Sequence, residues 1–151
     1  YQKGDMFFAL LIYVDDLVLI GNHAAHCNAF KEHSHNCFKL KDLGPLKYFL
    51  GIEVARSPKG LFLCQHKYTL DILSETGMLG AKPPTFPMEQ YHMLSDDSGA
   101  LFSDPSQYRH LIGRLLYLVI TRPEISYSIH ILSQFMQETC QRHWEATLRI
   151  L

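Results

Sequence analysis

Two apolar runs, Phe7 to Val14 and Leu17 to Ile20, flank Asp15 and Asp16 and are closed by Gly21-Asn22. Both are bulky, β-branched and too short for helices, so they predict a hairpin with Asp15-Asp16 at its turn. From His23 to Phe38 the pattern changes. Cys27, Phe30, Cys37 and Phe38 recur at helical spacing in a polar background, which predicts a surface helix with one buried face. Tyr48 to Ala55, a turn from Ser57 to Gly60, and Leu61 to Gln65 predict a second hairpin. His66 to Thr76, with Leu70 and Leu73 on one face, predicts a helix stopped at Gly77.

Residues 81–103 hold three prolines and no sustained period, so they read as a linker. Helices follow. Asp104 as N-cap and Pro105 at the first position open one whose apolar face is Tyr108, Leu111, Ile112, Leu115, Leu116 and Val119. Thr121 and Glu124 are spaced as a capping box around Pro123, ahead of Ile125, Ile129, Leu132 and Met136. Trp144, Leu148 and Leu151 begin a third. The pattern therefore predicts an α+β fold: two antiparallel hairpins with packed helices over 1–80, a linker over 81–103, and a helical region over 104–151.

An apolar fraction of 47% in 151 residues is ample for a hydrophobic core. The net charge of −1 supplies no global basic field, although an enzyme of nucleic acids needs only a local one. Cys27, Cys37, Cys64 and Cys140 are scattered with no C-x-x-C pairing, which suits free thiols in a reducing compartment. The apolar stretch Met6 to Val14 is far short of a membrane span. A soluble intracellular chain is expected. It opens almost at once on an apolar strand and stops inside the helical run "HWEATLRIL", so it reads as a fragment.

The stretch "LIYVDDLVLI" raises the chemical question. Adjacent acids at a hairpin tip can simply face water, but they can also hold divalent cations. Phosphoryl transfer between nucleotides uses two such cations about 3.5–4 Å apart, clamping the attacking and leaving oxygens. Strand side chains alternate faces, so a turn is what brings both carboxylates to one ion site. The histidine-rich helix invites a different idea. His26, His33, His35, Cys27 and Cys37 match no compact zinc-finger spacing, and the cysteines fall on the apolar helix face, so although His26, His33 and Cys37 could share a face, a plain surface helix is expected rather than a zinc site.

Between residues 39 and 67, Lys39, Lys41, Lys47, Arg56, Lys59 and Lys67 outnumber Asp42 and Glu53. That local excess suits phosphate contact, and equally a basic edge that discourages strand pairing.

"YVDD" between two apolar strands resembles the metal-binding hairpin of reverse transcriptases. "FKLKDLGPLKYFLGIEVARSPKGLFLCQHKYTLDIL" and "YRHLIGRLLYLVITRPEISYSIHILSQFM" are similar to the copia-type LTR-retrotransposon polymerase, in the same order and over essentially the whole chain. The resemblance implies that Asp15 ligates both Mg²⁺ ions, with Mn²⁺ as an alternative, and that Asp16 is its partner. It places Tyr13 and Val14 beside the primer end and the incoming nucleotide. "YFLGIEV" looks like a primer grip built on Phe49, Leu50, Gly51 and Ile52, and Lys39 or Lys41 is the candidate general acid for the pyrophosphate leaving group. Residues 1–80 would then be a partial palm and the later helices a thumb or connection whose arginines, among them Arg109, Arg114, Arg122, Arg142 and Arg149, could touch phosphates.

The implied partners are an RNA or DNA template-primer duplex, dNTPs, and the rest of a polyprotein with fingers, upstream palm and RNase H. The implied setting is the cytoplasm, in a virus-like particle, or the nucleus. The family's site needs a further aspartate from an upstream palm strand, and only Asp5 precedes the motif here. The chain alone is expected not to extend a primer. The rival reading is a non-catalytic remnant, or a piece reused as a nucleic-acid or protein binding module.

Overall fold

The computed structural model describes residues 2–82, 94 and 99–151. The linker read over 81–103 lies for the most part outside the described residues, at 83–93 and 95–98. The chain divides into two compact units, residues 1–50 with 54–61, and residues 51–53 with 62–151.

In the first unit β1 (Gln2–Lys3), β2 (Met6–Tyr13) and β3 (Asp16–Gly21) form an antiparallel sheet in the order β1-β2-β3. The β2–β3 register runs from Phe8 opposite Gly21 to Tyr13 opposite Asp16. Its open end is fastened by one side chain. Asn22 Oδ1 accepts from Phe7 N at 2.9 Å, and Asn22 Nδ2 donates to the Asp5 carbonyl at 2.6 Å.

Helix α1 (Ala24–Phe38) follows at once. Phe30 meets Phe8 edge-to-face, with centroids 5.3 Å apart. Gly21 lets the helix come close, since a Cβ there would stand 2.7 Å from Cys27 Sγ and 3.3 Å from the Phe7 carbonyl oxygen. The inner side of α1 is formed by Cys27, Phe30 and the buried Ser34, whereas Cys37 and Phe38 are exposed. Those last two residues therefore leave the face that their spacing predicted. Lys39, in the left-handed region, ends the helix with its N–H donating to the His35 carbonyl at 2.8 Å.

The second sheet is ordered β4 (Tyr48–Phe49), β5 (Ile52–Ser57), β6 (Gly60–Cys64). The run read as one strand from Tyr48 to Ala55 is broken by a turn at Leu50-Gly51, so the predicted hairpin becomes a three-stranded meander.

The second unit is helical beyond β6: α2 (His66–Glu75), α3 (Pro105–Leu118), a 3-10 turn (Pro123–Ile125), α4 (Ser126–Ser133) and α5 (Gln141–Leu148). Ile72 of α2 packs with Leu111, Leu115, Leu118, Ile125 and Ile129, and a neighbouring cluster joins Phe102, Tyr108, Ile112 and Leu132. Asp104 caps α3 as predicted, its Oδ1 accepting from Ser106 N and Gln107 N at 3.0 Å. Other expectations shift by a residue or a partner. Ile72 rather than the exposed Leu70 anchors α2, and Leu116 faces solvent. Thr121 does not cap the next turn, because its hydroxyl donates to Gln65 Oε1 at 2.8 Å. The α5 cap is one the sequence pattern hid: His143 Nδ1 accepts from Cys140 N at 3.1 Å, and the fully buried ring stacks on Phe135 at 4.0 Å. The class is α+β, as expected.

Candidate active site

The strand reversal between β2 and β3 holds two residues, Val14 and Asp15, with Tyr13 paired to Asp16 across its base. The turn thus lies one position earlier than the Asp-Asp pair suggested. Asp15 occupies the tip and Asp16 is the first residue of β3, sharing a sheet face with Tyr13. A two-residue hairpin that matches strand twist needs positive φ at its first central position. Val14 supplies it with a φ of 49° and stands 82% exposed. For a β-branched residue this is a strained conformation, of the kind that concentrates at functional sites.

Asp15 and Asp16 are both exposed, and among the described residues neither has an ion-pair or side-chain hydrogen-bond partner. Two carboxylates on adjacent residues, uncompensated by a protein cation, are a hard-oxygen donor set of the type Mg²⁺ or Mn²⁺ accepts. The donor chemistry therefore fits a divalent cation.

The second turn shares this backbone anomaly. Leu50 and Gly51 have φ of 49° and 81°, and the ladder resumes beyond them with Val54 N donating to the Lys47 carbonyl at 2.8 Å. Gly51 is required here by its left-handed turn position, not by a strand bulge. Phe49, Leu50, Gly51 and Ile52 are thus brought together at one tip, as Tyr13, Val14, Asp15 and Asp16 are at the other.

Lys39 closes α1 and Lys41 lies in the loop after it. Both are exposed, and no hydrogen bond or ion pair among the described residues joins either to the aspartates. Lys47, Arg56, Lys59 and Lys67 are exposed too. The two acids of that stretch are engaged. Asp42 pairs with Lys31 at 2.9 Å, and Glu53 accepts from Lys67 N at 3.3 Å. The Lys31 bond, followed by that from Gly44 N, holds the Asp42 carboxyl below the usual range. In the helical unit Arg114 pairs with Glu75 and lies 4.9 Å over the Tyr68 ring, Arg122 pairs with Glu124, and Arg109 donates to the Met136 carbonyl at 3.3 Å. No group of three or more His, Cys, Asp or Glu among the described residues is placed to hold a metal, His26, His33 and Cys37 included.

Residues 1–90 match the family described as "Reverse transcriptase (RNA-dependent DNA polymerase)". The chain belongs to the reverse transcriptase family. It is 43% identical over 150 residues to the "Retrovirus-related Pol polyprotein from transposon RE1" of Arabidopsis thaliana, which covers 99% of this chain and 10% of that protein. It is 32% identical over 156 residues to the corresponding polyprotein from transposon TNT 1-94 of Nicotiana tabacum, covering 96% of this chain and 12% of that one. An uncharacterized mitochondrial protein of Arabidopsis thaliana is 42% identical over 142 residues, 94% of this chain and 59% of that protein. These relatives place this reverse transcriptase chain in the copia-type retrotransposon group, and it spans about a tenth of the polyprotein lengths. No solved structure matches it. Among the described residues, no helix is long and apolar enough to cross a membrane.

Proposed function

We propose that this chain is the part of a copia-type reverse transcriptase that carries its aspartate pair, in an enzyme that adds dNTPs to a primer on an RNA or DNA template. One observation carries the reading: Asp15 and Asp16 sit at a strained strand reversal, exposed and without a protein cation beside them. When bound, two Mg²⁺ ions, or Mn²⁺ in their place, would hold the attacking and leaving oxygens of the phosphoryl transfer.

The chain's own residues supply position. Asp15 at the tip and Asp16 beside it would hold the ions through their carboxylate oxygens. Tyr13 and Val14 support the primer end and the incoming nucleotide. The Phe49–Ile52 turn holds the primer strand, with Gly51 allowing close backbone approach. Lys39 or Lys41 protonates the leaving pyrophosphate. The exposed lysines and Arg56 of residues 39–67 contact backbone phosphates, and the helical unit serves as thumb or connection. The remainder of the polyprotein supplies fingers, the further palm aspartate and RNase H, and the setting is cytoplasmic particle or nucleus.

In the parent polymerase, Asp15→Asn should lower Mg²⁺-dependent nucleotide incorporation about 10³-fold or more while leaving template-primer affinity within a few fold. The 151-residue chain alone should not extend a primer. Robust Mg²⁺-dependent extension by it, or an Asp15→Asn polymerase of undiminished rate, overturns the reading.

The remnant reading has one observation of its own: the mitochondrial relative is far shorter than a Pol polyprotein, since this chain covers 59% of it. Open coding sequence upstream that bears fingers and a palm aspartate would favour the enzyme.

A further inference from the structure

We propose that Ser57 is the acceptor site of a proline-directed protein kinase, and that its phosphate weakens the hold of residues 39–67 on nucleic acid. Of the 7 prolines in the sequence only Pro58 follows a serine or threonine, so the chain offers a single Ser-Pro step. Proline leaves no N–H at the residue after the acceptor. A kinase cleft with no hydrogen-bond partner at that point therefore takes Ser-Pro, whereas any other residue leaves its N–H unpaired there. The step is also well presented. Ser57 ends β5, Pro58 and Lys59 make the turn into β6, and every residue from Ala55 to Leu61 is exposed, so a cleft reaches the hydroxyl without opening a core.

The tip can keep the product in place. Lys59 N donates to Ser57 Oγ at 3.2 Å, and that hydroxyl donates to the Gly60 carbonyl at 3.4 Å. In the transfer Ser57 Oγ attacks the γ-phosphorus of ATP, the new O–P bond forms as the bond to the leaving ADP oxygen breaks, and the hydroxyl proton passes to the kinase's base. The bond to Gly60 is lost. Lys59 N–H remains beside the phosphoryl group, together with the cations of Arg56 and Lys59, neither of which has an ion-pair partner among the described residues.

The effect on nucleic acid rests on the polymerase reading above. A phosphoserine carries about −1.5 to −2 at neutral pH, which roughly halves the excess of the six cations over two acids in residues 39–67. The modified tip then repels a template-primer duplex.

Incubated with a cyclin-dependent kinase and ATP, the 151-residue chain should gain one phosphate, placed on Ser57 by tandem mass spectrometry. Ser57→Ala should gain none, and Pro58→Ala should be labelled at least about tenfold more slowly. Far-UV circular dichroism should show both variants folded. In the parent polymerase, full phosphorylation should raise the template-primer Kd about three- to tenfold at low salt, and less at high salt, with incorporation at saturating duplex unchanged. No phosphate on Ser57, equal labelling of Pro58→Ala, or a Kd indifferent to the phosphate overturns the proposal. The aspartate site is tested apart by Asp15→Asn and stands whichever of these is found.

Discussion

Ile72, Tyr108, Ile112, Leu115, Ile129 and Leu132 are fully buried in the helical unit, while in the β2–β3 hairpin Leu11, Ile12, Tyr13, Val14 and Ile20 are half exposed or more. Both regions are equally apolar to the eye, yet only one closes a core. A small sheet of two long strands and the short β1, with one helix on it, cannot cover two apolar faces, whereas α2 to α5 bury theirs against each other. The candidate site thus sits on a hairpin whose apolar side chains are largely uncovered. That suits a chain spanning about a tenth of its polyprotein relatives.

The contrast can be broken most directly in the helical core. Leu115→Ala should destabilise the helical unit by about 3 kcal/mol, read as reduced hydrogen-exchange protection in α3 and α4, with the hairpin amides unaffected. Equal loss in both regions would show that the division into two units is wrong.

Alkali provides the next largest effect. Burial pushes the Tyr108 hydroxyl up to about 12, against a smaller opposing bond from Thr147, and the hydroxyl donates to the Leu132 carbonyl at 2.7 Å. Because the folded value is raised, the contribution is complete below about pH 10, where the unfolded tyrosine is still neutral, and disappears as pH rises through about 12. The helical unit should lose about 2–3 kcal/mol across that window. Tyr108→Phe should flatten the pH dependence of a denaturant midpoint there.

Val14→Gly sharpens the comparison from the other side. Relief of positive-φ strain should stabilise the hairpin by about 1 kcal/mol, seen as slower exchange at Leu11 and Val18, a hydrogen-bonded pair of the ladder, with no change in α3. Ile12→Ala should be smallest, within about 0.5 kcal/mol in this chain, since its side chain is 63% exposed. The same substitution in the intact polymerase should cost several times more if other segments cover that face.

Periodicity made the elements legible, and local backbone chemistry hid their ends. The helices α1, α2 and α3 were visible because each carries an apolar spacing, and the Asp104-Pro105 start was unambiguous. The first turn lies one residue before the Asp-Asp pair because Asp-Asp carries a turn signature and Val14 does not. Strand twist, which no dipeptide reports, chose Val14. The apolar run around Leu50-Gly51 hides its turn for the same reason. Thr121 carried a cap signature but met Gln65, a partner 56 positions away. Of the candidate site, the aspartates could be named from the sequence, whereas the turn at Leu50-Gly51 could not. Which lysine would serve them could not, since Lys39 and Lys41 carry no pattern that fixes their reach.

Gly21 gives the first unit a point of intolerance that its neighbours lack. The exposed side of α1 can drift, as its run of histidines suggests, because solvent accepts almost any side chain there. At Gly21 even one methyl group would collide with Cys27 sulfur and crowd the Phe7 carbonyl oxygen. An alanine would act as a wedge, prising α1 from the strand end and loosening the Phe8–Phe30 contact. Variation among related chains should therefore be free along the helix's outer surface and nearly absent at this single missing side chain.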